Sequence, residues 1–497
     1  MFPFLTVMVA LPVAGAGLLW ALPASARSRA REVALAVTAV ELVLAAVLVV
    51  QFDTATAGAF QFSETHAWIP QIGASWALGV NGIGLLMILL AALLTPLVII
   101  AGWRDDASSP DRRRHYLALV LLSQAFMMGI FAARDVFLFY VLFEAMLIPL
   151  YFLIGSFGGA QRRYAAVKFL LFSLAGGLIM LVGVVALYFQ GPGGEQAFLT
   201  DNLTGLTLST TTERLLFVSF FVAFAIKAPM VPVHTWLPTV AETARPGTTA
   251  LLVAVLDKIG TFGMLTLAVT LFPNAARWAA PVIIVLAVIS VIYGAILAIG
   301  QQNMLRLVSF TSVSHFGIMI LGIFAFTQTS IEGAAFYMFN HGLSTGALFL
   351  VVGFLIARHG SADVSDYGGL QRVVPVFAGT FLIIGLSALA LPGLSPFVSE
   401  IMVLVGAFEV AGVAVIIAAI VVVLAALYVL LTYQKVFTGP VREGREDTPE
   451  LSLRERLVLW PLIALMLILG FGPGLAIDTI REPSQDIVAV VAEEAGQ

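Results

Sequence analysis

The chain of 497 residues alternates between long apolar runs and short polar connections over almost its whole length. A transmembrane helix needs roughly 20 mostly apolar residues, and fourteen segments meet that requirement. We therefore predict an all-α polytopic membrane protein with about fourteen transmembrane helices. The predicted spans are residues 1–22, 33–52, 76–103, 115–133, 136–156, 164–190, 214–237, 247–272, 279–300, 304–326, 331–357, 374–411, 412–434 and 456–477.

Prolines interrupt two of these spans. The seventh contains Pro229 and Pro232, and the twelfth contains the sequence LPGLSPFVSE, which ends at Glu400. Interrupted segments in corresponding positions are typical of inverted-repeat transporters. The two lie five spans apart, and because five is odd we predict two inverted five-helix repeats, spans 4–8 and 9–13, each with one broken helix. The predicted divisions are N-terminal peripheral helices (1–110), a first half-channel repeat (111–272), a second half-channel repeat (273–440) and a C-terminal helix with an acidic tail (441–497).

The composition agrees with a membrane protein and excludes several kinds of site. Hydrophobic residues make up 60% of the chain, charged residues 11%, and the mean hydropathy is +1.02. The absence of cysteine excludes disulfides and thiolate metal sites. The short connections leave no domain for a nucleotide, flavin or iron-sulfur cluster, and phosphate-binding glycine loops and basic stripes are missing. We therefore expect no cofactor, metal or nucleic acid to bind this chain.

The basic residues are distributed unevenly between the two sides of the predicted bundle. Of the 25 lysines and arginines, 18 fall on odd-numbered connections, four on even-numbered connections and the tail, and three inside spans. Positively charged connections stay in the cytoplasm, so both termini are predicted on the outer side of the inner (plasma) membrane. The acidic tail fits the same side; it contains Asp478, Glu482, Asp486, Glu493 and Glu494.

Ionisable residues inside the spans are the candidate functional groups. A charge at mid-membrane depth costs at least ~3 kcal/mol even on lenient insertion scales. Glu144 lies in the middle of an apolar run, although a carboxylate reaching from a helix end is the alternative. Lys227, just before the first break, is its expected partner. Burial favours the neutral form of each group and proximity favours the charged pair, so a proton can be exchanged between them.

Further candidates follow in the second part of the chain. Asp257 and Lys258 are adjacent and point to different helix faces, and we prefer Lys258 because small residues follow it. His315 and His341 are predicted relay residues, since a histidine changes charge near neutral pH, whereas a lone buried histidine is more often structural. Glu400 is predicted to be an exit carboxylate, with a surface loop residue as the alternative.

Two candidates are weaker. Lys168 lies near the start of the sixth span, where its side chain can also extend towards the basic cytoplasmic connection. His234 lies at the first break, where capping of a helix end or the ordering of water would also explain it.

Five motifs occur together in a recognisable order. They are FEAMLIPLYFLIG around Glu144, FAIKAPMVPVHTWLP around Lys227, SVSHFG around His315, FNHGLSTGALF around His341 and LPGLSPFVSEI around Glu400. From the third to the thirteenth span the chain resembles the antiporter-like subunits of respiratory complex I. The carrier of the second broken helix is glutamate in the M branch of that family and lysine in the L and N branches, so the chain is most similar to the M branch.

The resemblance implies a proton channel without redox chemistry of its own. It implies that the subunit belongs to an NADH:quinone oxidoreductase. NADH, FMN, iron-sulfur clusters and quinone would then bind in partner subunits. L-like and N-like subunits would lie on either side of this chain in the lipid bilayer. The implied roles are a coupling pair of Glu144 and Lys227, a central relay at Lys258, intermediate carriers at His315 and His341, and an exit-side carrier at Glu400.

Some positions depart from the family pattern, and other functions remain open. The chain reads HTWLPTVAETARPGTT where HTWLPDAHxEAPT is usual, so Glu242 is displaced and Pro246 shifted; NMLRLVSFT stands where an acidic residue and Lys-Arg are common. The alternatives are a subunit of a multi-component Na⁺/H⁺ antiporter or membrane-bound hydrogenase, a self-contained secondary transporter, and a purely structural membrane subunit. Glu400 in place of lysine counts against the antiporter.

Overall fold

The computed structural model describes residues 2–104 and 109–493, and most of them are helical. The α-helices are α1 (Phe4–Ala21), α2 (Ala30–Gln51), α3 (Gly82–Ala101), α4 (Pro110–Ala132), α5 (Val136–Ala145), α6 (Leu147–Phe157), α7 (Arg162–Gln190), α8 (Thr200–Leu203), α9 (Thr210–Lys227), α10 (Trp236–Thr243), α11 (Pro246–Leu251), α12 (Lys258–Gly263), α13 (Val269–Leu271), α14 (Pro273–Ile299), α15 (Met304–Phe324), α16 (Gln328–His359), α17 (Pro375–Ala388), α18 (Ser395–Ala418), α19 (Val421–Phe437), α20 (Leu453–Phe471) and α21 (Gly474–Glu493).

Shorter elements complete the chain. Two π-helical segments, Leu252–Leu256 and Met264–Ala268, join α11 to α12 and α12 to α13. Strands β1 (Gln61–Ile69) and β2 (Ala74–Val80) form an antiparallel hairpin. The 3₁₀ turns are Ala24–Arg29, Thr54–Thr56, Pro70–Ile72, Gly102–Arg104, Val364–Asp366 and Leu370–Arg372.

Side-chain caps fix where several long helices begin. Asn81 accepts a hydrogen bond from the backbone N–H of Gly84 at the start of α3, and Asp135 accepts one from Leu138 at the start of α5. Thr327 and Ser330 form a reciprocal capping box at the start of α16. These side chains satisfy donors that a helix leaves unpaired at its first turn.

The polytopic α-helical class is confirmed, whereas the count of fourteen spans is not. Among the described residues, 11 helical stretches are long and apolar enough to cross a membrane, or 12 if the bent pair α20–α21 counts as one. The predicted seventh span is too polar for this test, since α9 carries Glu213, Arg214 and Lys227. In the predicted twelfth and thirteenth spans, α17 is short, and residues Ser395–Phe437 form one apolar stretch. That stretch is kinked at Ala411, where the sequence predicts a boundary.

Three elements form the interior of the bundle. In their most apolar windows, 100% of the residues of α15, 94% of those in Pro246–Leu271 and 89% of those in α16 are buried. In α2 the share is 28%, and in α7 it is 39%. Most of the ionisable candidates therefore lie on or against the innermost helices, away from the surface that faces lipid.

The two ends of the bundle differ in structure. At one end Glu64 of the hairpin accepts a hydrogen bond from the N–H of Leu5 at 2.7 Å, and Glu482 of α21 accepts one from Gly58 at 3.0 Å. The hairpin is not predicted from the sequence, because most residues of β2 are apolar and the predicted third span begins inside it. The predicted acidic tail is instead the helix α21 as far as residue 493, while Glu494 lies outside the described residues.

Basic side chains gather at the opposite end. Arg27 forms an ion pair with Asp111 at 3.0 Å, and Arg358 forms one with Glu455 at 2.7 Å. Arg454 donates to backbone carbonyls at the last turn of α3, whose first turn lies at the hairpin end. The predicted separation of basic and acidic connections thus corresponds to two different ends of the bundle.

Candidate functional site

A row of buried polar side chains begins at Lys258. Its Nζ lies 2.7 Å from Nδ1 of His341 and donates to the backbone carbonyl of Val253 at 2.6 Å. The other ring nitrogen of His341, Nε2, lies 3.1 Å from the hydroxyl of Thr345. The exposed fractions of Lys258 and His341 are 0% and 1%. Two residues that the sequence predicts separately are therefore in direct contact across α12 and α16.

The row continues from His341 to Glu400. The ring centres of His341 and His315 are 5.2 Å apart, and Nε2 of His315 lies 3.3 Å from the hydroxyl of Tyr428. Tyr337 donates its hydroxyl to Oε2 of Glu400 at 2.8 Å. Glu400 is 5% exposed, so the alternative of a surface loop residue is wrong.

Two tyrosines of this row, Tyr337 and Tyr428, are not among the residues predicted from the sequence. Tyr337 precedes His341 by four residues on α16, so the two side chains share a helix face. That spacing is a signal the sequence does contain. Tyr428 lies on α19 and reaches the row only through tertiary packing, for which the local sequence gives no signal.

Lys227 occupies the interrupted seventh segment. It is the last residue of α9 and is 1% exposed, and its Nζ has no hydrogen-bond partner among the described residues. The Nζ lies 5.4 Å from the ring centres of both Phe143 and Phe169, a cation–π distance. The aromatic faces replace part of the hydration that the ammonium loses.

Other residues support the break that follows Lys227. The N–H of Val231 donates to the hydroxyl of Ser290 at 2.9 Å, and the indole of Trp236 donates to the carbonyl of Ile226 at 2.9 Å. Non-helical backbone within a membrane is tolerated only where its polar groups find such partners. The interruption predicted from the prolines is thus present, and α10 begins only at Trp236.

Glu144 lies at the flank of the bundle, near Lys227. The described ion pairs do not include these two residues, and Oε1 of Glu144 has no hydrogen-bond partner among the described residues. Lys227 interacts electrostatically with both Asp257 and Glu144. Glu144 also borders an open cavity of about 250 Å³, lined by Leu147, Ile148, Tyr151, Phe152, Leu170 and Leu174. Glu144 and Lys227 therefore do not form a direct ion pair among the described residues. They interact at longer range, and Asp257 is a third charged group that acts on Lys227.

The weaker candidates Lys168 and His234 lie near the first break and α10. Lys168 is half-buried and donates to Thr239 of α10 at 3.0 Å. His234 is buried within the break, with its ring centre 5.2 Å from that of Tyr293, and its Nδ1 has no partner among the described residues. Neither contacts Lys258, His315, His341 or Glu400 through a described hydrogen bond.

The two stretches that depart from the family pattern meet in space. Glu242, from the stretch after the first break, forms an ion pair with Arg306 of the NMLRLVSFT stretch at 3.0 Å. Asn303 in that stretch caps α15 by accepting hydrogen bonds from the N–H groups of Leu305 and Arg306. Among the described residues, no group of three or more His, Asp or Glu side chains is arranged to hold a metal ion.

Broken helices, buried lysines and a buried row of histidine, tyrosine and glutamate define a membrane protein of the antiporter-like class. The chain belongs to the NADH:quinone oxidoreductase/Mrp antiporter transmembrane family, whose model matches residues 133–427. All nine candidate residues lie within that range. The resemblance predicted from the motifs is confirmed.

Individual proteins of the family match nearly the whole chain. NADH-quinone oxidoreductase subunit M of Mycobacterium tuberculosis is 43% identical over 526 residues, covering 99% of this chain and 95% of the relative. A chain of respiratory complex I from Thermus thermophilus with bound NADH has a TM-score of 0.89 and 29% identity, covering 98% and 99% of the two chains. A chain of the Mrp complex from Dietzia sp. DQ12-45-1b has a TM-score of 0.87 at 24% identity, covering 99% and 100%, and shares the fold.

Proposed function

We propose that this chain is a proton-translocating membrane-arm subunit of an NADH:quinone oxidoreductase, corresponding to subunit M. Its relatives with that name are similar over nearly their whole length, and the matching structure is a respiratory complex I. The observation that carries the proposal is the buried row from Lys258 through His341 and His315 to Glu400. Ionisable groups at this depth are costly, and they mark ion pathways.

The row suits proton transfer between neutral and charged forms of its members. Lys258 and His341 are close enough for one proton to pass directly between two nitrogens. The tyrosine hydroxyls extend the row to Glu400, and water between the side chains would close the longer intervals. Because each added charge changes the affinity of the next group for a proton, filling one site favours emptying its neighbour.

We place the entry to this row at Lys227 and its two carboxylate neighbours. Glu144 lies at the bundle flank beside an open cavity, where a neighbouring subunit can act on its charge. A change in the charge of Glu144 would alter the proton affinity of Lys227. The charge of Lys227 would in turn alter the proton affinity of the groups in the row. We assign Glu400 as the exit-side carrier, and Lys168 and His234 as secondary groups near the basic end.

The protons move from the cytoplasmic side to the outer side in this proposal. The basic connections gather at one end of the bundle, and the hairpin, the start of α1 and α21 lie at the other. From the positive-inside rule we infer that the hairpin end and both termini lie on the outer side of the inner membrane. Residues 111–272 and 273–440 would form the two half-channels, with residues 1–110 and 441–497 at the periphery.

The energy would come from other subunits of the complex. We propose that NADH, FMN, the iron-sulfur clusters and quinone bind in partner subunits, and that L-like and N-like antiporter-like subunits flank this chain. Quinone reduction would then reach the row through the charges of those neighbours. A subunit of a Na⁺/H⁺ antiporter is disfavoured, because the Mrp match shows the fold alone. The glutamate at position 400, in place of lysine, also counts against it.

The test is the substitution Lys258→Met in the assembled complex, in inverted membrane vesicles. Methionine fills most of the space of the lysine side chain without a proton-carrying group. We expect NADH-driven acidification and the quinone reductase rate to fall together at least tenfold, with a normal complex on a native gel. The control is Lys435→Met, at an exposed position near the end of α19. If the assembled Lys258→Met complex pumps as the control does, the proposed path is wrong.

A further inference from the structure

Asp257 is a buried carboxylate in this region whose charge no described hydrogen bond stabilises. Its exposed fraction is 0%, and neither carboxylate oxygen has a hydrogen-bond partner among the described residues. Glu41 of α2 shares this property, whereas the buried acid Asp135 is satisfied. Asp135 accepts from the N–H groups of Ser75 and Leu138 at 2.8 and 2.9 Å. Because an unsatisfied buried carboxylate opposes folding, its presence here requires an explanation other than structural support.

The packing of α12 shows which way Asp257 faces. Gly260 is three residues further along and therefore lies on the same helix face. A Cβ atom at Gly260 would lie 2.4 Å from the backbone N of Ala228 and 2.6 Å from the carbonyl O of Phe224. That face is thus pressed against the last turn of α9, which ends at Lys227.

Lys258 faces another helix. Its Nζ contacts His341 of α16, and Ala254, four residues earlier, lies against the same helix. A Cβ atom at Gly342 of α16 would be 2.7 Å from the carbonyl O of Ala254. The adjacent residues Asp257 and Lys258 are therefore directed to the two different halves of the buried site.

The local backbone helps to set this divergence. The N–H of Asp257 donates to the carbonyl of Leu252 at 2.9 Å, a bond to the fifth preceding residue that closes the π-helical segment Leu252–Leu256. A π-helical insertion shifts the residues that follow it relative to a regular α-helix, and such insertions are frequent at functional sites. In this chain it precedes the two charged residues directly.

The electrostatic contacts agree with this position. The Asp257 carboxylate interacts with the ammonium groups of both Lys258 and Lys227. Among the described groups with a resolved electrostatic interaction, Asp257 is the one carboxylate that interacts with both Lys227 and Lys258.

We propose that Asp257 carries the proton between Lys227 and Lys258. Asp257 has this role only if the chain translocates protons as proposed above. In the first step the Lys227 ammonium gives a proton to the Asp257 carboxylate, leaving a neutral amine and a carboxylic acid. In the second step the acid gives that proton to the neutral amine of Lys258, restoring the carboxylate and forming an ammonium. One proton moves and no electron is exchanged.

The test compares Asp257→Asn with Asp257→Glu in the assembled complex, in inverted vesicles. Asparagine keeps the shape but cannot carry a proton, whereas glutamate can. We expect Asp257→Asn to lower NADH-driven acidification and quinone reduction at least tenfold, and Asp257→Glu to retain a substantial part of both. Thr95→Val is the matched control, because it removes a buried hydroxyl that bonds only within α3. Native gels establish equal assembly of the three variants.

Two further results separate the possible failures. If Lys258→Met stops pumping but the assembled Asp257→Asn complex pumps normally, the proposed function stands and the role of Asp257 is wrong. If neither variant affects pumping, the proposed function itself fails.

Infrared difference spectra during NADH turnover separate a carrier from a fixed counter-charge. A D₂O-sensitive carboxylic-acid band that is present in Thr95→Val and missing in Asp257→Asn supports the carrier; its persistence in Asp257→Asn overturns it.

Discussion

Gly177 holds space for the Glu144 carboxylate, and a single methyl group there displaces it. A Cβ atom at Gly177 of α7 would lie 1.7 Å from Oε1 and 2.4 Å from Cδ of Glu144. The carboxylate must withdraw by about 1.7 Å to reach the 3.4 Å at which ordinary contact begins. It can do so without unfolding the bundle, because the side chain is half-buried and borders the cavity of about 250 Å³.

We therefore predict that Gly177→Ala impairs coupling while the complex still assembles. A misplacement of ~1 Å can cost about 100-fold in a reaction that depends on geometry, so acidification and quinone reduction should both fall roughly 10- to 100-fold. The double variant Gly177→Ala/Glu144→Asp should recover much of this loss, since aspartate is shorter by one C–C bond of about 1.5 Å.

The assay measures NADH-driven acidification and quinone reduction in the same vesicles. Gly379→Ala is the matched control, because a Cβ atom there meets no described atom within 4 Å. Normal pumping by the assembled Gly177→Ala complex would refute the claim that the position of the Glu144 carboxylate matters. A loss of pumping that the shorter carboxylate fails to restore would show that the methyl group acts on something else.

Three further substitutions test other contacts. Tyr337→Phe should lower coupled acidification about tenfold at normal assembly, since a hydrogen bond to a carboxylate contributes ~1.5–3 kcal/mol; unchanged pumping would remove Tyr337 from the row. Arg358→Met should reduce the amount of assembled complex on native gels, because buried Glu455 loses the nearer of its two ionic partners and keeps Arg454 at 3.7 Å. Breaking a buried ion pair costs ~3–5 kcal/mol. Activity per assembled complex should not change, and Arg358→Met/Glu455→Met should recover assembly. Thr345→Val should slow acidification several-fold, because the Thr345 hydroxyl orients His341, which contacts Lys258. Thr345→Ser keeps the hydroxyl and should not slow acidification. Equal acidification rates in the two variants would contradict this role.

Much of the architecture can be predicted from the sequence because burial in a membrane leaves a strong signal. Apolar runs of helix length predict the helices, and the prolines near Lys227 and before Glu400 predict the breaks. The number of spans is less predictable. Three charged residues make α9 too polar to count as a span, and Ser395–Phe437, predicted as parts of two spans, is one apolar stretch with a kink at Ala411.

The site is only partly predictable, because residue type identifies candidates but not their neighbours. Lys258 and His341 stand out as ionisable residues in apolar sequence, yet their contact depends on how α12 packs against α16. Tyr428 resembles any other aromatic residue of a helix core. The direction of Asp257 depends on a π-helical segment whose sequence, LVAVL, is ordinary for a helix.

The hairpin and α21 fall outside what hydropathy can predict. Most residues of the strand Ala74–Val80 are apolar, as are those of the helix that follows it, so the sequence does not mark where one ends and the other begins. Residues of α21 are amphipathic and acidic, which is equally typical of a polar tail. Both elements become defined by packing at the end of the bundle, where Glu64 and Glu482 accept backbone hydrogen bonds from distant parts of the chain.

The most direct test of the central claim compares Glu144→Gln and Lys227→Ala with the unmodified complex in inverted vesicles. Acidification and quinone reduction are followed together after NADH addition, with assembly checked on a native gel. We predict that both rates fall in each assembled variant, because Lys227 and the nearby Glu144 are proposed to belong to the coupled proton path. If both variants assemble and pump at the unmodified rate, this chain does not carry protons by way of Lys227 and Glu144, and the proposed path is wrong.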